Sequence, residues 1–371
     1  MTDRPVTEPL SQPDEQVGER SSLFDPRTAV MLIACLFAVI LSSLVVLLPV
    51  KYAILRPGPV LNTLGEVDGQ PLISISGHQT YETSGTLDLT TVSVLGGPDR
   101  KVTLLQVFDA WLRDSSAVVP EEQVFTPGET QEQSEAENAA EMTSSQESAT
   151  AAALWALGIK VPTTLTVAGT DPAAPAAKTL QEDDVILGVD GKAIGDLAQL
   201  RTTLADSEPG AEVRVRIRRD GQVRTVSTET TQNAEGDTVL GIYIVPDFDF
   251  PFDVKIQIED IGGPSAGMMF ALGIVDTLTP GDLTGGKDIA GTGTIDADGT
   301  VGPIGGIRQK LVGARDAGAE YFLAPADNCN EVVDHIPDGL DVIKVETLDQ
   351  ARTDVEAIAK GDTGGLARCD S

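Results

Sequence analysis

From Thr28 to Val50 the sequence TAVMLIACLFAVILSSLVVLLPV carries no charged side chain. Coiled as a helix, a run of this length matches a hydrocarbon core roughly 30 Å thick. It is therefore read as one membrane-spanning helix. A cleaved secretory leader would have a shorter apolar region and a small-x-small cleavage site, whereas this run ends in Pro49-Val50-Lys51-Tyr52. Charge does not orient the span, because Arg20 and Arg27 on the short side nearly balance Lys51 and Arg56 on the long side. Residues 1–27 mix Pro, Ser, Asp and Glu without apolar periodicity and read as a disordered tail.

The 371 residues suffice for two folded domains with ordinary cores. The balance of 26 basic against 57 acidic residues, formally −31, repels nucleic acid and anionic lipid surfaces. DNA and RNA are thus excluded as partners. Cys35 lies in the span, leaving Cys329 and Cys369 as the only soluble pair. They either form a disulfide that ties down the C-terminal tail in an oxidising compartment or are two unrelated thiols.

Past the span, LRPGPVLNTLG reads as a turn-rich lead-in, and Leu72–Ile75 and Leu87–Val94 alternate as strands. KVTLLQVFDAWLRD sets Val102, Leu105, Phe108 or Val107, and Leu112 at helical spacing. Residues 120–141 are acidic and Gln-rich with few apolar anchors, and are expected to be a loop or a disordered flap. SSQESATAAALWALG follows as a helix capped by Gly158.

A second unit then reads strand, small-residue turn, strand, helix and hairpin. In EVRVRIRRDGQVRTVSTE the residues Val213, Val215 and Ile217 point one way around an Asp220-Gly221 turn. With DVILGVDGKAI in its second strand, this order resembles a bacterial PDZ domain over about Thr163–Thr231. The resemblance implies capture of an extended peptide tail at a sheet edge. The candidate carboxylate loop is Leu157-Gly158-Ile159, for which a plain helix C-cap is an equal reading. Arg214, Arg216, Arg218, Arg219 and Arg224 read as the solvated face of a hairpin.

The chemistry concentrates in FDVKIQIEDIGGPSAGMMFALGIVDTLTP, a strand that breaks at Gly262-Gly263-Pro264 and continues as an apolar helix from about Ala266. A serine at such a turn holds its hydroxyl at a helix N-terminus, where free N–H groups stabilise an oxyanion. Ser265 is thus a candidate nucleophile, with a simple serine N-cap as the alternative. The usual base is scarce: His78 and His335 are the only histidines, and neither sits in a motif. A lysine can replace it when burial disfavours the charged form. IRQKLVGARDAG, read as a helix from Ile307 to a Gly318 cap, puts Lys310 on the stripe of Ile307, Leu311, Ala314 and Ala317, with Arg308, Gln309 and Arg315 facing elsewhere. Lys287 and Lys255 lack such a setting. A snorkelling lysine is the bland alternative at 310.

GGPSAG, TGTI, GPIGGIRQK and EYFLAPADN together resemble the proteolytic domain of the Lon family. The resemblance implies a dyad of Ser265 and Lys310, 45 positions apart, a supporting role for Thr292, and a turn shaped by Gly263 and Pro264. MTSSQESATAAAL is similar to the early helix of that domain. The expected fold is α+β, with a discontinuous Lon-like domain over roughly 60–158 and 245–360, a PDZ-like insert, a preceding membrane helix, and a tail at 361–371. Gly262 stands where many family members carry an acidic residue, so no role transfers there. No G-x-x-x-x-G-K-[ST] sequence occurs in this chain, so no ATP partner is expected, and neither a cofactor nor a metal is called for. Taken with the span, the whole resembles bacterial membrane-anchored PDZ–Lon-like proteases. That implies a cytoplasmic N-terminus, an extracytoplasmic catalytic part, peptide or protein substrates, and a ring-forming domain type that leaves homo-oligomers open. Two functions follow from these features: a Ser–Lys endopeptidase independent of ATP, or a non-enzymatic PDZ adaptor on a Lon-like scaffold.

Overall fold

The protein is described by a computed structural model covering residues 26–233, 236–258 and 261–369. Of the tail expected over residues 1–27, residues 1–25 lie outside the described residues, and residues 26–27 belong to the first helix instead. The uncharged run forms helix α1, Pro26–Val46, long and apolar enough to cross a membrane and exposed along almost its whole length. The chain leaves it at Leu47-Leu48 and pairs Pro49–Val50 antiparallel with Val102–Thr103.

LRPGPVLN, expected to be turn-rich, belongs instead to the strand Tyr52–Asn62, hydrogen-bonded to Thr86–Leu95 on one side and Ala117–Pro120 on the other. The two prolines are tolerated because the ladder to Thr86–Leu95 slips between Pro57 and Val60. Pro59 falls in this bulge, outside the registered pairs, and Pro57 stands past the end of the pairing with Ala117–Pro120, which stops at Leu55. Gly58 is needed there, since any side chain would run into Thr91.

These strands belong to a six-stranded sheet in the order Asp341–Val345, Tyr321–Pro325, Asp288–Gly291, Thr86–Leu95, Tyr52–Asn62, Ala117–Pro120. The first four run parallel and the last two pairings are antiparallel. Alternate residues feed two cores, as a pleated strand requires. Ile289, Leu323, Ile343 and Val345 enter one core, while Ala290, Phe322, Ala324 and Val342 enter the other.

Helix α2, Leu104–Trp111, starts from a Thr103–Gln106 capping box. Its sequence stripe is turned outward: Leu105, Phe108 and Leu112 are exposed, and it is Ala110 and Val107 that pack on Ile54 and Val102. Helix α3 corrects the expectation for 120–141 as well. It runs unbroken over Gln131–Ala156, opened by a Thr130–Gln133 capping box. Glu, Gln and Ala favour helix on their own. The buried stripe is made of Ser134, Met142, Ser145 and Ala149, with Asn138 on the same side but exposed. Small polar residues do not register as an apolar period. Residues 121–123 form a single 3₁₀ turn before it.

The second unit has its own core of Leu165, Val167, Ile186, Val215 and Ile217, with Leu200 and Leu204 from α4, Leu197–Ala205. Its sheet runs Gln222–Glu229, Glu212–Arg219, Val185–Val189, Thr163–Thr170, Ile242–Phe248. The last strand lies beyond the expected end at Thr231 and covers the outer edge of Thr163–Thr170. Arg219 is paired at 2.6 Å with the buried Asp184, so it leaves the solvated arginine face.

Helix α5, Gly267–Leu278, is buried at every position except Thr277, as expected of a helix apolar on all sides. With α3 and α7, Leu348–Lys360, it covers the first core. Helix α6, Ile307–Asp316, packs on the opposite face of the sheet. It ends at the Ala317 cap, where Ala317 is exposed, and Gln309 is buried, contrary to the stripe expected for them. The C-terminal stretch folds back onto Asp341–Val345. There Lys344 donates to the Ala367 carbonyl at 2.8 Å, Arg368 pairs with Asp341 at 2.7 Å, and Cys329 and Cys369 are joined in a disulfide.

Candidate active site

The serine turn sits where α5 begins, and its shape is imposed by neighbours on other elements. Gly263 adopts the left-handed conformation, φ +84°, which glycine reaches without steric cost. Its N–H donates to the Asn138 carbonyl of α3 at 3.0 Å, and Ser145 of α3 donates its hydroxyl to the Pro264 carbonyl at 3.0 Å. From the other side Gly293 N–H donates to the Ser265 carbonyl at 2.9 Å, as does the Thr292 hydroxyl, also at 2.9 Å. The first residue of α5 is Gly267, and no side chain caps the helix. Ser265 is therefore not an N-cap; its hydroxyl points elsewhere.

It points to Lys310. Nζ lies 2.8 Å from Ser265 Oγ and 2.9 Å from Thr292 Oγ1. Lys310 stands on the first turn of α6, whose entry is a left-handed Gly306 packed so close to Val92 that a side chain would not fit. The loop before it is braced by Asn328, which accepts from Ile304 N–H and donates to the Ile304 carbonyl, each at 2.9 Å. Thr292 follows the central parallel strand Asp288–Gly291, so α5, α6 and that strand converge beyond its carboxyl end, the usual location of sites on parallel sheets.

Lys310 is 2 % exposed and none of its hydrogen-bond partners is an acid. Burial lowers its amine from 10.5 to about 7, because the charged form loses hydration that two hydroxyls replace only in part. A neutral amine beside a serine hydroxyl can accept its proton. Among the described residues, the amides of Ser265 and Ala266 have no carbonyl partner, which suits an oxyanion at the mouth of α5.

Ser265 and Lys310 open onto a cleft of about 1000 Å³ walled by Thr90–Val94, by Asn138, Met142 and Gln146 of α3, and by Ile256, Ile258 and Ile261. The acidic segment thus supplies a fixed wall. The rival bases lie elsewhere: Lys255 and both histidines are exposed, and Lys287 sits in a turn ahead of Asp288–Gly291. Leu157, Gly158 and Ile159 do not form a carboxylate site. Their amides close α3, Leu157 onto Ala153, Gly158 onto Trp155 and Ile159 onto Leu154, so none is left for a ligand. Asn138 and Ser145 were missed by sequence reasoning; the only signal for them is their helical spacing from Met142 and Ala149.

Residues 257–356 match the Lon protease (S16) C-terminal proteolytic domain, and residues 140–230 match the PDZ domain family. The chain is 32% identical over 174 residues to a Lon protease of Azospirillum brasilense, covering 42% of this chain and 21% of the relative. It is 28% identical over 182 residues to Lon protease 1 of Bacillus subtilis (strain 168), covering 47% and 23%. The matched region thus spans about a fifth of the length of these curated relatives. The PDZ domain of the SdrC-like protein Lmo2051 from Listeria monocytogenes aligns at 21% identity and a TM-score of 0.21, over 22% of this chain and 86% of that one. The chain carries a Lon-type proteolytic domain, of the serine peptidase kind, together with a PDZ domain and one apolar N-terminal helix.

Proposed function

We propose that the protein is a membrane-anchored serine endopeptidase that works without ATP, with Ser265 as nucleophile and Lys310 as general base. The observation that carries this reading is the 2.8 Å approach of a buried, acid-free lysine to the serine of a strand-to-helix turn. Neutral Lys310 takes the Ser265 proton as Oγ attacks the peptide carbonyl, and the oxyanion is held by the Ser265 and Ala266 amides. The ammonium then protonates the leaving amine, and water repeats the sequence to release the acyl group. Thr292 supports the dyad from both ends, accepting from Lys310 and donating to the Ser265 carbonyl.

The apolar cleft wall of Ile256, Ile258, Ile261 and Met142 favours extended segments with apolar side chains. The PDZ unit acts as a tether for substrate tails. Because the amides at 157–159 are spent and Thr163–Thr170 is covered, the edge assigned to peptide capture is the outer side of Ile242–Phe248. The span α1 holds the chain in the membrane with its N-terminus in the cytoplasm and both folded units outside, where the Cys329–Cys369 bond persists.

The test is incubation of the full chain in lipid with an unfolded protein substrate and no nucleotide. Fragments from wild type and none from Ser265→Ala are expected. Equal fragments from both would refute the assignment, and none from either would favour the adaptor.

A further inference from the structure

Outside α1 and the residues that follow it, the outer face of α2 carries the densest group of exposed large apolar side chains among the described residues. Leu105, Phe108, Trp111 and Leu112 lie at the i, i+3, i+6 and i+7 positions, a single stripe, and are 54%, 56%, 74% and 64% exposed. The inner face is already satisfied by Val107 and Ala110. Four large apolar side chains on two turns of exposed helix form a patch that water does not favour.

Its position says what covers it. Leu104, the first residue of α2, donates its N–H to the carbonyl of Leu48 at 3.3 Å, two residues past the end of α1. Pro49–Val50 is paired with Val102–Thr103 immediately before. The start of α2 is thereby fixed at the level where the span leaves the hydrocarbon, and an eight-residue helix reaches only about 12 Å from that point. The charges beside the stripe nearly balance: Arg113 and Arg56 pair with Asp109, Lys101 pairs with Glu121, and Asp114 follows the stripe. A face rich in Leu and aromatic side chains, with a Trp and little net charge, has the composition that settles at the headgroup–acyl boundary.

We infer that α2 is a bilayer-docking helix, whose Leu105, Phe108, Trp111 and Leu112 enter the interface of the same membrane that α1 crosses. The inference rests on the reading of α1 as an anchor. It gives the catalytic domain a second, non-covalent attachment next to the span, which fixes how Tyr52–Asn62, and the sheet behind it, face the membrane. Because the neighbouring charges nearly balance, zwitterionic lipid suffices.

The experiment uses the full chain in phosphatidylcholine vesicles, with Trp155→Phe leaving Trp111 as the sole tryptophan, and a fluorophore on Cys35, the free cysteine of the span. Should Trp155→Phe unfold, the difference spectrum between wild type and Trp111→Phe reads the same quantity. The expected result is a Trp111 emission shifted to shorter wavelength that loses most of its intensity when the lipid is brominated in the upper acyl chain. A quenched Cys35 probe with an unquenched, water-like Trp111 would overturn the docking while leaving the anchor in place. Failure of both to quench would remove the anchor and the docking with it. A short-wavelength Trp111 that lipid bromine does not touch, and that changes with protein density, would assign the patch to a second copy of the chain and overturn the inference.

Discussion

Lys310→Met separates the cost of the buried amine from everything else in the fold. Lowering the amine from 10.5 to about 7 costs, at 1.36 kcal/mol per tenfold, about 5 kcal/mol of stability whenever the lysine must be charged in the unfolded chain and neutral or poorly hydrated in the folded one. The depressed folded value sets the sign. The penalty is complete below about pH 7, shrinks as the pH rises, and vanishes above 10.5, where the amine is neutral in both states. Methionine fills the same channel without a charge, at a packing cost that does not depend on pH. Relative to wild type, Lys310→Met should therefore gain about 4 kcal/mol on moving from pH 10 to pH 6. Urea unfolding of both proteins in micelles, followed by tryptophan emission, gives the difference directly, and all other titrations cancel in the comparison. Curves for the two proteins that stay parallel across this range would refute the claim that Lys310 is held neutral by burial.

Three further outcomes are expected. Thr292→Val should lower peptide turnover by on the order of 100-fold with little change in KM, since it frees both the amine and the Ser265 carbonyl from the hydroxyl that aligns them; steady-state kinetics on a short peptide decide this. Cys329→Ser should cost about 4 kcal/mol in the chain-entropy account of a bond spanning 40 residues, seen as an earlier unfolding transition that reductant reproduces in wild type and leaves unchanged in the variant. Asn138→Gly should weaken α3 by only about 0.3 kcal/mol from helix propensity while sparing the Gly263 contact, which uses the backbone carbonyl; retained turnover distinguishes this from a side-chain role.

How far the site could be read in advance follows from where its information lies. Ser265 and Lys310 announce themselves locally, one by Gly-Gly-Pro before an apolar helix and the other by a charge on an apolar stripe, and these are features of sequence spacing. What held the serine turn was not local: Asn138 comes from a segment whose composition suggested a loop, and Ser145 from the expected helix after it, on a buried face made of small polar residues rather than leucine. α2 erred in the other direction, since periodicity finds an apolar stripe but not what it faces. The strand Ile242–Phe248 was assigned to the wrong side of a boundary because edge pairing with Thr163–Thr170 is a tertiary choice that alternation along either strand leaves open. Likewise, Leu157-Gly158-Ile159 carries the same residues whether it caps a helix or receives a carboxylate, and only the hydrogen-bond count separates the two.

The dyad itself is tested most directly by the rate at which a serine-directed phosphonate labels Ser265 as a function of pH. If Lys310 is the base, the rate rises about tenfold per pH unit up to about 7 and is level above, because only the neutral amine takes the proton. In Lys310→Arg the labelling disappears at every pH, since a guanidinium stays charged, while Lys287→Arg and Lys255→Arg follow the wild-type curve. A rate that is flat through pH 7, or a folded Lys310→Arg protein that labels as wild type does, would contradict the assignment of Lys310 as the base that activates Ser265.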